Sequence, residues 1–331
     1  MNTTRLKNII LKDRMPNFLC DHPGMISNAE RSLLFNLTKN HYKQRGFVID
    51  AGAFLGASTV CFSQGLIEAK IDGKGKILSF EKGVVRQNFK RFVEKYDLPP
   101  HHIGESFQET FLALTNNHNH NYKILFADIT SYFHLSENKI EIAFLDLLKT
   151  EKVCRHCITQ FYPSLLVGSY VIQQDYFFDQ LPFIKYTQEA FGDFFSYEGQ
   201  VNSSAVFRLI KPITKDDVNK ILNNIKMQDA ISLHIQAENK TLNVERAYFM
   251  KLSRSWLLAD LGRLEEAKEH YKKTRGEFFS KNTYSVDIFK KDFEHRHNLL
   301  ESYFTFMESW GDKPYIQGGK SSWESFIYKD D

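Results

Sequence analysis

One run constrains this chain more than any other: Val48-Ile49-Asp50-Ala51-Gly52-Ala53-Phe54-Leu55-Gly56-Ala57-Ser58-Thr59. A short apolar strand, Phe47 to Ile49, leads into an acid and two glycines, and a helical pattern from Ser58 to Ala69 follows. Gly52 and Gly56 carry no Cβ, so the backbone can turn tightly there and come close to a ligand. The helix that follows begins with N–H groups that have no partner of their own, and Ser58 and Thr59 add hydroxyls beside them. A strand, a glycine turn and a helix in this order open an α/β sheet whose ligand lies at the strand ends. The dinucleotide fingerprint G-x-G-x-x-G is absent, because Phe54 stands where its second glycine would be.

The same alternation continues. Ser27 to His41 reads as a helix, with Ser27 as N-cap, Glu30 three residues on, and Leu33, Leu34 and Leu37 as its apolar stripe. Lys76 to Phe80 is a strand closed by Glu81, and Val84 to Tyr96 a helix. Further strands are expected at Ile124–Ala127, Ile140–Leu145 and Tyr170–Gln173, with Val201–Ile210 a late edge or hairpin strand. Strands alternating with helices predict a Rossmann-like α/β fold, a mostly parallel sheet with helices on both faces. After Lys211-Pro212 strand signals nearly vanish and helical periodicity takes over. The 331 residues therefore divide into an α/β domain over 1–211, with an N-terminal helical cap, and an all-helical region over 212–331.

Composition removes several classes. With 42% hydrophobic and 25% charged residues the chain is globular rather than disordered. A net charge of +3 is too balanced to point to nucleic acid or an anionic membrane surface. No apolar run is long enough to span a bilayer. The first residues hold one short apolar cluster broken by Lys12, Asp13 and Arg14, so they lack a secretion signal and the cytoplasm is the expected compartment. The excess of aromatic residues, 29 Phe and 15 Tyr, favours a large aromatic-lined core or pocket. Four cysteines do not make a disulfide scaffold, and Cys154 and Cys157 read as buried thiols on a helix. Asn116 to Asn121 reads as a solvated loop, and the tail from Gly311 as an extended, poorly regular end.

Glu81 closes the second strand, where an acid commonly accepts hydrogen bonds from a ribose diol. His102-Ile103-Gly104-Glu105-Ser106, taken as following a third short strand, stands where an adenine would lie. With these pieces in order, residues 24–210 resemble the class I S-adenosylmethionine-dependent methyltransferases, in particular the branch of catechol and macrolide-sugar O-methyltransferases. Phe161 to Ile172 is similar to the segment before and through the fifth strand of that family, with Gly168-Ser169 in place of two glycines. Gly24 to Arg31 resembles the helix that closes over the methionine end of the cofactor. The resemblance implies an enzyme that binds S-adenosylmethionine through Ser27, Asp50, Gly52, Ala53, Phe54, Gly56, Ser58, Thr59, Glu81, Lys82, Glu105, Ser106 and Asp146.

Two acids close later strands, Asp146 after Ile142-Ala143-Phe144-Leu145 and Asp175 after Gln173-Gln174. In the family resembled, the matching positions hold a divalent ion, and a lysine three residues after the first acid acts as base. The resemblance thus implies Asp146 and Lys149 as catalytic residues, and Asp146 and Asp175 as ligands of Mg²⁺ or a similar ion. Such an ion takes oxygen ligands and would stabilise a developing alkoxide or phenolate. The chain departs from the pattern: Gln174 precedes Asp175, Tyr176 follows it, and Leu147 replaces a common histidine. This leaves open whether a ligand is missing or Gln174 turns in, or whether Asp146 orients the acceptor directly while Lys149 or a histidine takes the proton. Plain structural roles also stand: a helix N-cap for Asp146, a solvated charge for Lys149.

The expected activity is methylation of a hydroxyl on a small molecule such as a sugar or natural product, with neither nucleic acid nor membrane as partner. Methylation of nitrogen or of a protein is the alternative within enzymes. The alternative outside them is a non-catalytic cofactor-binding scaffold whose helical region binds a partner. In that region Trp256 to Tyr271 looks like the middle of one tetratricopeptide-type repeat, with Leu261-Gly262 as its turn and Ala267 and Tyr271 packing inward. No second copy is visible, so a lone helical hairpin is expected. Whether it lids the acceptor site, makes a homodimer or binds another partner is left open.

Overall fold

The computed structural model describes residues 3–131, 139–241, 243–281, 286–311, 316–317, 320–321 and 326. Helices α1 (Thr3–Ile10), α2 (Asn17–Asp21) and α3 (Asn28–His41) come first. The alternating part runs β1 (Phe47–Ala51), α4 (Ala57–Glu68), β2 (Ile77–Glu81), α5 (Lys90–Tyr96), α6 (Gln108–Thr115) and β3 (Tyr122–Phe126). It continues through β4 (Ile140–Leu145), α7 (Glu151–Phe161), β5 (Leu165–Gln173), α8 (Pro182–Ala190), β6 (Phe195–Val201) and β7 (Ser204–Leu209). Then come α9 (Lys215–Asn224), α10 (Met227–Glu238), α11 (Val244–Asp260), α12 (Leu264–Lys281) and α13 (Val286–Trp310). Of the tail, most of which lies outside the described residues, β8 (Ile316–Gln317) pairs with β9 (Lys320–Ser321). Among the described residues no helix is long and apolar enough to cross a membrane.

The seven-stranded sheet has the order β3-β2-β1-β4-β5-β7-β6. Strands β1 to β5 pair in parallel, and β7 runs antiparallel between β5 and β6. Strand β1 is central because its sequence tolerates cover on both sides: Val48 through Ala51 are all buried. On one face Phe144 meets Phe62 of α4, and on the other Phe80 meets Phe161 of α7. The Rossmann-like α/β architecture expected from the alternation is therefore present, together with a helical C-terminal region. The order reverses between β1 and β4, and at such a switch point an open sheet leaves a crevice beyond its strand ends.

Local structure departs from the sequence reading in four places. The expected hairpin strand Val201–Ile210 is β7 (Ser204–Leu209), and the unforeseen strand is its partner β6, which ends at Val201 before the turn at Asn202 (φ +51°) and Ser203. Strand β6 hides from pattern reading because its inward Glu198 is buried against Arg208, 2.9 Å away. The expected helix from Val84 starts only with a 3₁₀ turn at Gln87, since Val84 bridges Ser106 in extended form. His102 to Ser106 follow α5, not a strand. Residues 116–121 are not simply solvated: His118 and Asn121 are buried and both bond Ser63.

Backbone contacts group the chain into two compact units that interleave in sequence. The first is Met1–Leu148, Arg155–Gln174 and Asp193–Asn219; the second is Lys149–Cys154, Asp175–Gly192 and Lys220–Asp331. Within the first, α3 and α4 pack together over Val48, Ile142 and Phe144. Within the second, α8, α10, α11, α12 and α13 pack in succession. Helices α11 and α12 form a hairpin turning at Leu261 and Gly262, with Ala267, Tyr271 and Trp256 buried. Cys154 and Cys157 are buried on α7.

Candidate active site

Strand β1 delivers Asp50 to the sheet centre with no exposure at all. Thr59, in the first turn of α4, donates its hydroxyl to Asp50 Oδ2, and Ser79 of β2 lies 3.1 Å from that hydroxyl. Burial pushes the Asp50 carboxyl up to about 6, against the hydroxyls of Thr59 and Ser58 that pull it down. Its Oδ1 is buried with no hydrogen-bond partner among the described residues, an acceptor that a donor bound at the strand end would satisfy. Thr59 and Ser58 are both buried, and Thr59 is spent on Asp50.

Beyond β1 the chain turns through Gly52 (φ +101°), Phe54 (φ +45°) and Gly56 (φ +90°). Register pairs Ala51 with Leu145, so Gly52 and Asp146 stand side by side past the strand ends. Asp146 N donates to Ala51 O at 2.7 Å. A Cβ on Gly52 would sit 2.9 Å from the Asp146 carbonyl carbon, and one on Gly56 would strike Thr115 at 2.3 Å. Ala53 is buried. The Phe54 ring lies among Phe89, Phe92 and Phe107, so only its backbone is free for the turn.

That backbone has a task. Phe54 N–H donates to Glu81 Oε2 at 2.8 Å, and Gly83 N–H donates to Glu81 Oε1 at 3.0 Å. Both carboxylate oxygens are therefore fixed in direction, and each keeps a lone pair for an outside donor. Across from this acid, Phe107 N bonds Gly83 O and Val85 N bonds Glu105 O, which ties residues 104–107 to the segment after β2. Glu105 turns back to His102 N, and Ser106 Oγ accepts from Gln108 N. Lys82 is exposed, 4.0 Å from Asp128. Asp128 itself was missed by the sequence reading. It follows β3 as Glu81 and Asp146 end or follow β2 and β4, and its apolar run Ile124-Leu125-Phe126-Ala127 carries the same signal.

Past β4 and β5 the first unit places Asp146 beside Gln174, whose N–H donates to Leu145 O. Gln174 Nε2 reaches Ser203 Oγ at 3.3 Å in the β6–β7 turn. Ser203, Ser204 and Asn202 converge on Glu30, which is almost wholly buried. Ser27 forms the capping box with that same Glu30, so its hydroxyl is engaged in holding α3. In the second unit Lys149 Nζ bonds Asp175 directly. Asp175, at φ +62°, thus presents a carboxylate already matched by an ammonium.

For a divalent ion this donor set is short of charge: Gln174 is neutral, and among the described residues no group of three or more His, Cys, Asp or Glu gathers. The implied second ligand is paired with Lys149, and a lysine so paired must give up Asp175 before acting as a base.

Strand order decides what kind of sheet this is: five parallel strands reversing at β1 and β4, with an antiparallel strand inserted before the last. The chain has a Rossmann-like α/β fold, a mostly parallel seven-stranded sheet with helices on both faces. Solved structures of similar build include the O-methyltransferase NovP, at 12% identity and TM-score 0.46 over 57% of this chain and 83% of that one. The calicheamicin methyltransferase CalS11 matches at 13% identity and TM-score 0.41, covering 62% of this chain and 91% of its own. A SAM-dependent O-methyltransferase from Thermotoga maritima matches at 13% and 0.35, covering 63% and 72%. No family model and no curated protein matches the sequence.

Proposed function

We propose that the first unit binds S-adenosylmethionine beyond β1, β2 and β3 and transfers its methyl group to a hydroxyl of a small molecule. The observation that carries this reading is Glu81, its carboxylate fixed by the N–H groups of Phe54 and Gly83 at the rim where Gly52 meets Asp146. A preset carboxylate one strand from a glycine turn is what a ribose diol needs. Gly52 and Gly56 let backbone approach the cofactor, Asp50 Oδ1 offers an acceptor for its amino group, and Ser106 and Asp128 stand on the side of its base. When bound, S-adenosylmethionine supplies a methyl on a sulfonium, open to in-line displacement.

The chain's own part is placement, worth more here than any covalent intermediate. Asp146, at the switch point, orients the acceptor hydroxyl and receives its proton as the oxygen attacks. The hydroxylated small molecule as acceptor follows from the sequence resemblance.

Calorimetry with S-adenosylhomocysteine tests the cofactor half. The expected result is binding by the folded protein and a loss of at least tenfold for Glu81→Ala. No heat at millimolar ligand overturns the reading. Asp146→Ala should keep cofactor binding and abolish methyl transfer; a scaffold would lose nothing.

A further inference from the structure

The family resembled holds its acceptor with a divalent ion; here Asp146 follows β4, and β5 is followed by the amide Gln174 and then by Asp175, whose carboxylate is paired with Lys149, which leaves Asp146 and Gln174 as the pair. An amide oxygen has no net charge to hold a hydrated dication, so one of the anionic ligands is missing from this pair. The amide is also committed in direction. Glu30 is an acceptor when ionised, and it already draws donors from Ser27 N–H at 2.9 Å, Ser27 Oγ at 2.7 Å and Ser204 Oγ at 2.6 Å. The Ser203 hydroxyl, 3.5 Å from the same carboxylate, therefore turns its hydrogen to Glu30 and offers its lone pair to Gln174. That lone pair can be met only by the amide nitrogen, which lies 3.3 Å away. The relay Glu30, Ser203, Gln174 thus leaves the amide oxygen as the atom it does not engage. Gln174 Oε1 is buried and has no hydrogen-bond partner among the described residues, an unmet acceptor beside the acid assigned to the acceptor hydroxyl.

We propose that this end of the sheet works without a divalent ion, and that Gln174 Oε1 positions the acceptor by taking a hydrogen bond from it. The proposal rests on the methyl-transfer reading of the same site. It makes Gln174 a determinant of which acceptors bind: a hydroxyl or N–H donor is favoured next to the reacting oxygen, and an ether or a carboxylate is not.

Three measurements on the full chain, saturated with S-adenosylhomocysteine, test it. Manganese titrated in and followed by electron paramagnetic resonance should stay free at millimolar concentration; uptake by the unaltered protein overturns the proposal. Gln174→Asp or Gln174→Glu, which restores the missing charge, should raise manganese affinity at least tenfold. If both variants fold, shown by unchanged cofactor binding, and neither gains the ion, the assignment of Gln174 falls. With chelator present, catechol serves as the hydroxylated probe in ligand-observed magnetic resonance. It should bind, and Gln174→Leu should weaken it at least fivefold while Gln174→Asn retains part of the affinity. Absent catechol binding, or equal binding by Gln174→Leu, overturns the positioning role. Cofactor calorimetry on the same samples separates the two readings: missing cofactor heat fails the methyltransferase proposal, whereas manganese uptake with cofactor heat intact fails only this one.

Discussion

At position 52 two costs coincide in one atom. The backbone has φ +101°, and a Cβ there meets the Asp146 carbonyl carbon at 2.9 Å and the Leu147 nitrogen at 3.0 Å. Neither neighbour is the loose end of a side chain; both belong to the backbone leaving β4. Gly52→Ala must therefore push the glycine turn and the Asp146 backbone apart, at the place where both are proposed to touch ligand. The conformational cost alone is about 1–2 kcal/mol, and the collision adds to it. We expect Gly52→Ala to lower thermal stability and to weaken S-adenosylhomocysteine binding at least tenfold by calorimetry. Unchanged affinity would mean that the turn does not approach the cofactor.

The turn between α11 and α12 offers the matching case at the level of elements. Gly262 has φ +74°, its N–H bonds Ala259 O, and a Cβ there meets nothing within 4 Å. Gly262→Ala should cost about 1–2 kcal/mol, the left-handed penalty alone, read as a lower urea midpoint, with cofactor binding untouched. That both glycines stood out in the sequence shows which signals are legible. Strands β1, β2 and β4 are short apolar runs with an acid at or just past the end, and helix α3 announces itself through Ser27 and Glu30. Where a long-range partner replaces a local one, legibility ends. Glu198 faces inward because Arg208 waits on the next strand, Phe54 turns away from the turn it helps to build because three other rings receive it, and Gln174 depends on a relay to Glu30 from distant parts of the chain. Lys149 reads as a base or a surface charge from its spacing to Asp146, and only its pairing with Asp175 shows what holds it.

Over the whole molecule, the histidines set how the two units respond to acid. In the second unit His297 sits between Tyr248 and Tyr271, with both phenolic oxygens 2.9 Å away, and burial and then Arg275 lower it to about 4. His270 is lowered to about 4 by burial and then by Arg254, whose guanidinium donates to His270 Nε2 and so requires that nitrogen to be unprotonated. An unfolded histidine takes its proton near 6.5, so both groups hold full stabilising value above that pH and lose it as pH falls towards 4. The loss is at most about 3 kcal/mol for each. In the first unit the balance differs. His22, lowered to about 4 by burial, acts in the same sense, but Asp50, raised to about 6, gains in relative stability as it protonates. Its contribution is fully present below an ordinary carboxylate value and is lost as pH rises through about 6, so it opposes His22 over the same interval. We therefore expect hydrogen exchange, corrected for intrinsic rates, to rise in peptides from α11 to α13 as pH drops from about 7 to about 4.5, while peptides from β1, β4 and α4 keep their protection. Equal loss in both sets would show that Asp50 is not the buried, proton-accepting group its surroundings make it, and would remove the opposing effect on which the difference depends.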